Sequence, residues 1–182
     1  MATTGYMSHL RTPREKRPPP EVLLVEDGPG EIYLIRKGFN TGPLPVALHS
    51  VPSVSEALAF LRQDGPYRQA PRPQLIVTSI NLAGQKSGFE LIVAVKHDLA
   101  LRVIPVIVFS AYNQPEIIRK SYALGANSYI IKPWGLQAFF GAIHALEEYW
   151  LTVAALCEPA SLLQERQDAG ARATNSNFTG PR

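Results

Sequence analysis

Five short apolar runs, each followed by a stretch whose apolar residues recur at helical spacing, constrain this chain more than any other feature. The runs carry little polar alternation, and strands that read this way are buried on both faces, as in a parallel sheet. The first is Glu21–Val25. Behind Gly28-Pro29-Gly30, residues Ile32, Leu34, Ile35 and Phe39 then lie at helical spacing, with Glu31 in the first turn, where it suits the helix dipole, and with Asn40 and Gly42 as stops. A weaker strand spans Leu44–His49. Ser53 or Ser55 caps the next helix, whose Val54, Ala57, Leu58 and Leu61 share a face and which ends at Asp64-Gly65-Pro66.

The third run, Leu75–Thr78, leads through a loop from Ala83 to Gly88 into a helix carrying Phe89, Leu91, Ile92, Val95 and Leu99. Val103–Phe109 is the most apolar strand. It ends at Ser110-Ala111 and precedes a helix from about Gln114 to Leu124, stopped by Gly125. Ser128–Ile131 is the last strand, closed by Lys132-Pro133, and Gly135 to Cys157 reads as one helix. Strands separated by helices join through right-handed crossovers. The order therefore predicts an α/β fold, a doubly wound five-stranded parallel sheet covered on both faces.

The remaining stretches frame this domain. Residues 1–20 are basic and close on Arg17-Pro18-Pro19-Pro20, which favours an extended, disordered arm, while 158–182, poor in large apolar groups, reads as a disordered tail. The predicted domain is 21–157. Of the formal net charge of +3, the arm carries +3, and residues 21–157 hold 11 basic and 11 acidic side chains. A neutral domain offers no continuous basic surface for nucleic acid. Absence of a secretory leader and of any run of about 18 apolar residues argues against export and against a membrane span. The single cysteine, Cys157, excludes an internal disulfide framework, so the cytoplasm is the expected compartment.

Open α/β sheets bind and react at the carboxyl ends of their strands. The residues placed there are Glu26 and Asp27 after the first strand, Ser79 after the third, Ser110 after the fourth and Lys132 after the fifth. Two adjacent carboxylates need a neutralising cation, which a lysine ammonium or a hard divalent ion can supply. Such a cleft suits phosphoryl chemistry.

These residues carry a resemblance to the response-regulator receiver domain, covering 21 to about 157. Val25-Glu26-Asp27-Gly28-Pro29 resembles its acidic motif, Val106–Ala111 its hydroxyl switch strand, and Tyr129-Ile130-Ile131-Lys132-Pro133 its aromatic-lysine-proline motif. The resemblance implies a flavodoxin-like receiver fold that takes a phosphoryl group from a sensor histidine kinase onto an aspartate. It also implies magnesium in the acidic pocket and a switch in which the hydroxyl at Ser110 and the aromatic at Tyr129 move together.

The chain departs from that pattern at the phosphoacceptor, and again at Ala83, where the pattern has proline. Ser79 stands where the phosphoacceptor aspartate belongs, and residues 74–89 contain neither Asp nor Glu. A serine hydroxyl without an adjacent base is a poor nucleophile, and one fewer anionic ligand leaves Glu26 and Asp27 to bind magnesium weakly. The expectation is a pseudo-receiver, not an enzyme, requiring no cofactor and signalling through protein contacts. Lys132 is expected to hold Asp27 or the Ser79 hydroxyl. The alternatives are a receiver phosphorylated on another acceptor, or a small ligand-binding α/β domain, although no phosphate-binding glycine motif is present.

In the last helix Leu136, Phe139, Ile143, Leu146, Trp150, Val153 and Cys157 are spaced 3, 4, 3, 4, 3, 4, a heptad-like seam on a helix of about 22 residues. Part covers the sheet, and the remainder predicts a homodimer seam through Phe139, Ile143, Leu146, Trp150 and Val153. The segment Leu146–Thr152 is similar to the extended final helix of stand-alone response regulators that accompany phytochrome-type histidine kinases. That similarity implies a photoreceptor kinase as partner and no DNA-binding output domain.

Overall fold

The computed structural model describes residues 18–157 apart from 83, 85 and 86; the arm up to residue 17 and the tail from 158 lie outside the described residues. Strands β1 (Glu21–Val25), β2 (Ala47–Val51), β3 (Leu75–Thr78), β4 (Val106–Ser110) and β5 (Ser128–Ile131) alternate with helices α1 (Pro29–Asn40), α2 (Val54–Arg62), α3 (Gly88–His97), α4 (Pro115–Ala123) and α5 (Leu136–Glu147). All pairings are parallel and the strand order is β2-β1-β3-β4-β5. The predicted doubly wound sheet is the one observed.

Prolines set two strand boundaries that apolar content alone misplaced. β2 starts at Ala47 rather than Leu44: Pro43 and Pro45 have no N–H for a ladder, and pairing begins with the Ala47 N–H donating to the Pro20 carbonyl at 3.0 Å. β4 likewise starts at Val106 rather than Val103. Pro105 serves only as an acceptor, taking the Ile76 N–H at 3.0 Å. On α2 the cap is Ser53, whose hydroxyl accepts the Glu56 N–H at 3.3 Å. The helix α3 stops at His97, so Leu99, expected on its face, is exposed.

The two-residue alternation of the buried strands divides the core. Leu23, Val25, Ile76, Val106 and Val108 pack with α2 and α3 on one face, while Val22, Leu24, Leu75, Val77, Ile107 and Phe109 pack with α1 and α5 on the other. Every β3 and β4 residue is buried, which fixes these central strands and the residues at their carboxyl ends.

The last helix is shorter than its sequence pattern suggests. After α5 the chain makes a wider π-helical turn, Glu148–Val153, and leaves helical geometry at Ala154 rather than Cys157. The extra residue in that turn shifts the apolar face. Leu151 becomes the core residue where the heptad spacing placed Trp150, which is only partly buried. Phe139, Ile143 and Leu146 lie in the chain's own core, and of the expected seam only Val153 is widely exposed, with Tyr149 beside it. Among the described residues, no helix is long and apolar enough to cross a membrane.

Candidate functional site

The parallel register brings the strand ends together at one lip. Val25 is opposite Thr78 and Ser110 opposite Ile131, so Glu26, Ser79 and Lys132 each leave the sheet just past a paired position. Backbone bonds hold these exits: the Ser79 N–H donates to the Val25 carbonyl at 3.0 Å and the Lys132 N–H to the Ser110 carbonyl at 2.8 Å. The start of α3 closes over the same edge. A Cβ at Gly88 would lie 2.1 Å from the Ser79 carbonyl oxygen, so only glycine allows this approach, and the Gly88 N–H donates to the Ile80 carbonyl.

Glu26 is the best-connected group at the lip. It is 2% exposed; Oε1 accepts from the Asp27 and Gly28 N–H groups, each at 3.1 Å, and Oε2 accepts from Lys132 Nζ at 2.8 Å. Burial pushes its carboxyl up from the ordinary range, against the opposing pull of Lys132 and the Gly28 N–H. Lys132 Nζ makes a second bond of 2.8 Å, to Oε2 of Glu31 in the first turn of α1. This corrects the sequence expectation: the pocket lysine bridges Glu26 and Glu31, rather than holding Asp27 or the Ser79 hydroxyl. Glu31 read only as a dipole-compensating residue. The available signal was its place two residues past a Pro29 helix start, which turns it back over the strand end.

Ser79 and Ser110 are both buried hydroxyl residues, and Ser110 Oγ accepts the Tyr112 N–H at 3.4 Å. Tyr129 is half-buried against the α2/α3-side core and donates its hydroxyl to the Tyr112 carbonyl at 2.8 Å; burial raises its phenol. The hydroxyl at the end of β4 and the aromatic of β5 thus meet at one loop residue, Tyr112. The described histidines bond elsewhere: His49 to Glu21, His97 to the Val93 carbonyl and His144 to the Gly38 carbonyl. None of these bonds supplies Ser79 with a general base.

Magnesium does not fit the residues as arranged. Both Glu26 oxygens are engaged, the adjacent cation is Lys132, and Ser79 offers a neutral oxygen, which leaves Asp27 as the sole carboxylate at the lip not engaged by Lys132. Among the described residues, no three His, Cys, Asp or Glu side chains are placed to share a metal ion.

The family model of the response regulator receiver domain matches residues 22–144. This chain belongs to that family. A receiver domain is a non-catalytic signalling module of two-component systems, so the chain is not an enzyme. It is 32% identical over 142 residues to the response regulator Rcp1 of Synechocystis, covering 78% of this chain and 96% of that protein. Among solved structures, the phosphorylated cyanobacterial phytochrome response regulator RcpA is 36% identical, with a TM-score of 0.74 over 78% of this chain and all of that one. The Mn(2+)-bound form of Rcp1 has a TM-score of 0.72 at 31% identity, covering 77% of this chain and 100% of its own.

Proposed function

We propose that this receiver is a pseudo-receiver: it is not phosphorylated on aspartate at the β3 lip and signals through protein contacts whose state is set by its partners. The observation that carries this reading is the lip itself. Ser79 brings neither carboxylate nor activated nucleophile, and Lys132 is committed to two glutamates. RcpA is seen phosphorylated and Rcp1 with Mn(2+), and on this reading neither state forms at a lip that carries Ser79 and a doubly paired Lys132.

The partner that fits is a sensor histidine kinase of the phytochrome type, supported by the phytochrome regulator among the relatives. The expected compartment is the cytoplasm. A second copy of the chain is a further partner, and exposed Tyr149 and Val153 on the terminal turn favour pairing through that end.

The test is phosphoryl transfer from a small labelled donor such as acetyl phosphate in the presence of magnesium. The native chain should take up no label while Ser79→Asp does, and Trp fluorescence under magnesium and beryllofluoride should respond only in Ser79→Asp, with Trp134 two residues from Lys132 as reporter. Label on an aspartate of the native chain, or a saturable fluorescence response from it, overturns the reading.

A further inference from the structure

We propose that Glu31 is a positioning residue of this pocket: from α1 it gives Lys132 the negative charge that Ser79 does not carry, and so keeps the ammonium from an oxyanion brought to the β3 lip. This inference rests on the pseudo-receiver reading and names the group that keeps the pocket closed.

The argument begins with the lysine. Its side chain is only 7% exposed, and a buried ammonium is stable only when paired with charge and hydrogen-bonded. One partner, Glu26, is anchored by two backbone N–H groups and cannot follow the lysine elsewhere. The other, Glu31, makes a bond of the same length although its side chain remains 44% exposed. A glutamate in a first helical turn is already favoured by solvation and by the dipole, so nothing local requires Glu31 to reach across to the residue after β5. The buried ammonium of Lys132, of whose three donors Glu26 takes one, does.

The loop between the two acids is shaped for this closure. A Cβ at Gly28 would lie 3.4 Å from Glu26 Oε1 and 3.5 Å from Glu31 Oε2, so the two carboxylates flank one glycine and converge on one ammonium. With Glu26, Glu31 and Asp27 at this edge, an incoming phosphate-like anion meets net negative charge, and the ammonium that could receive it is doubly occupied. Glu31 is the half-exposed member of the pair and therefore the one that can swing out.

The test is a double-mutant cycle on the full chain, followed by urea unfolding without any phosphodonor. Glu31→Gln should lower the unfolding midpoint of the native chain, and by less than half as much in Ser79→Asp, where the introduced carboxylate gives Lys132 another partner. Lys132→Met is a second background, in which Glu31 has no ammonium to lose and its substitution should cost next to nothing. Equal losses in all backgrounds overturn the proposal. If Ser79→Asp does not fold, the Lys132→Met comparison decides alone.

Where Ser79→Asp folds, adding Glu31→Gln should tighten its beryllofluoride binding by about three- to fivefold, the range of a partly exposed ion pair. Unchanged or weaker binding also overturns the proposal. Phosphoryl uptake by the native chain would remove the pseudo-receiver reading while leaving the unfolding cycle as measured, so the two failures are distinct.

Discussion

Among the described residues two glutamates are buried, Glu26 and Glu147, and their surroundings differ in the way that separates a candidate site from a packing joint. Each is almost inaccessible, and burial is the first cause raising each carboxyl. Glu26 has a cation at 2.8 Å, two backbone donors and two neighbouring hydroxyl residues at the ends of nearby strands. Glu147 has one backbone donor, the Leu44 N–H at 2.8 Å, and its Oε2 is buried with no partner. Its role is to tie the end of α5 to the loop between α1 and β2. A buried acid marks a site only when other chemical groups converge on it.

The sharpest way to break the comparison is to remove the cation. Lys132→Met leaves Glu26 buried and unpaired, which should cost about 3 kcal/mol at neutral pH, read as a loss in urea unfolding. Without Lys132 the Glu26 carboxyl rises further. A folded value above the unfolded one makes the neutral form the stabilising one, so stability is retained in acid and falls as pH climbs through the folded value. The deficit against the native chain should therefore shrink below about pH 4.5 and grow toward neutrality. A deficit independent of pH would mean that Lys132 acts through packing alone.

How legible these two glutamates were differs as much as their settings. The sheet, its order of elements and the lip residues Glu26, Ser79, Ser110 and Lys132 follow from apolar runs and strand ends, which are local patterns. The partner of Lys132 was not legible, because a strand-end motif gives position along the chain but not which of three carboxylates a lysine reaches. Glu147 left no signal. It sits on an apolar helix as one of two adjacent acids, Glu147-Glu148, and only the return of the Gly42–Leu44 loop buries it. The π-helical turn was equally hidden, since a heptad spacing presumes the regular turn that Glu148–Val153 abandons.

The joint around Glu147 is next in expected size. A Cβ at Gly42 would stand 1.8 Å from Glu147 Oε2, so Gly42→Ala must displace the carboxylate or the loop, at about 2 kcal/mol. If the clash is with the acid, Glu147→Ala combined with Gly42→Ala should cost much less than the sum of the two single changes in urea unfolding. Strict additivity would place the strain elsewhere in the loop.

The smallest effect separates the two glutamates by pH. Burial raises the Glu147 carboxyl above its ordinary 4.5, against the pull of the Leu44 N–H and of His144. Its neutral form thus contributes stability that is full below 4.5 and is lost as pH rises through the folded value. Glu147→Gln keeps a neutral acceptor for the Leu44 N–H at every pH, while its amide N–H groups gain no evident partner, which limits the benefit. The variant should match the native chain near pH 4 and gain at most about 1 kcal/mol at pH 7, measured as unfolding midpoints at the two values. Glu26→Gln should behave in the opposite sense at pH 7, because it removes the charge that Lys132 needs. If both variants shifted alike, the cation would not be what distinguishes the lip from the joint.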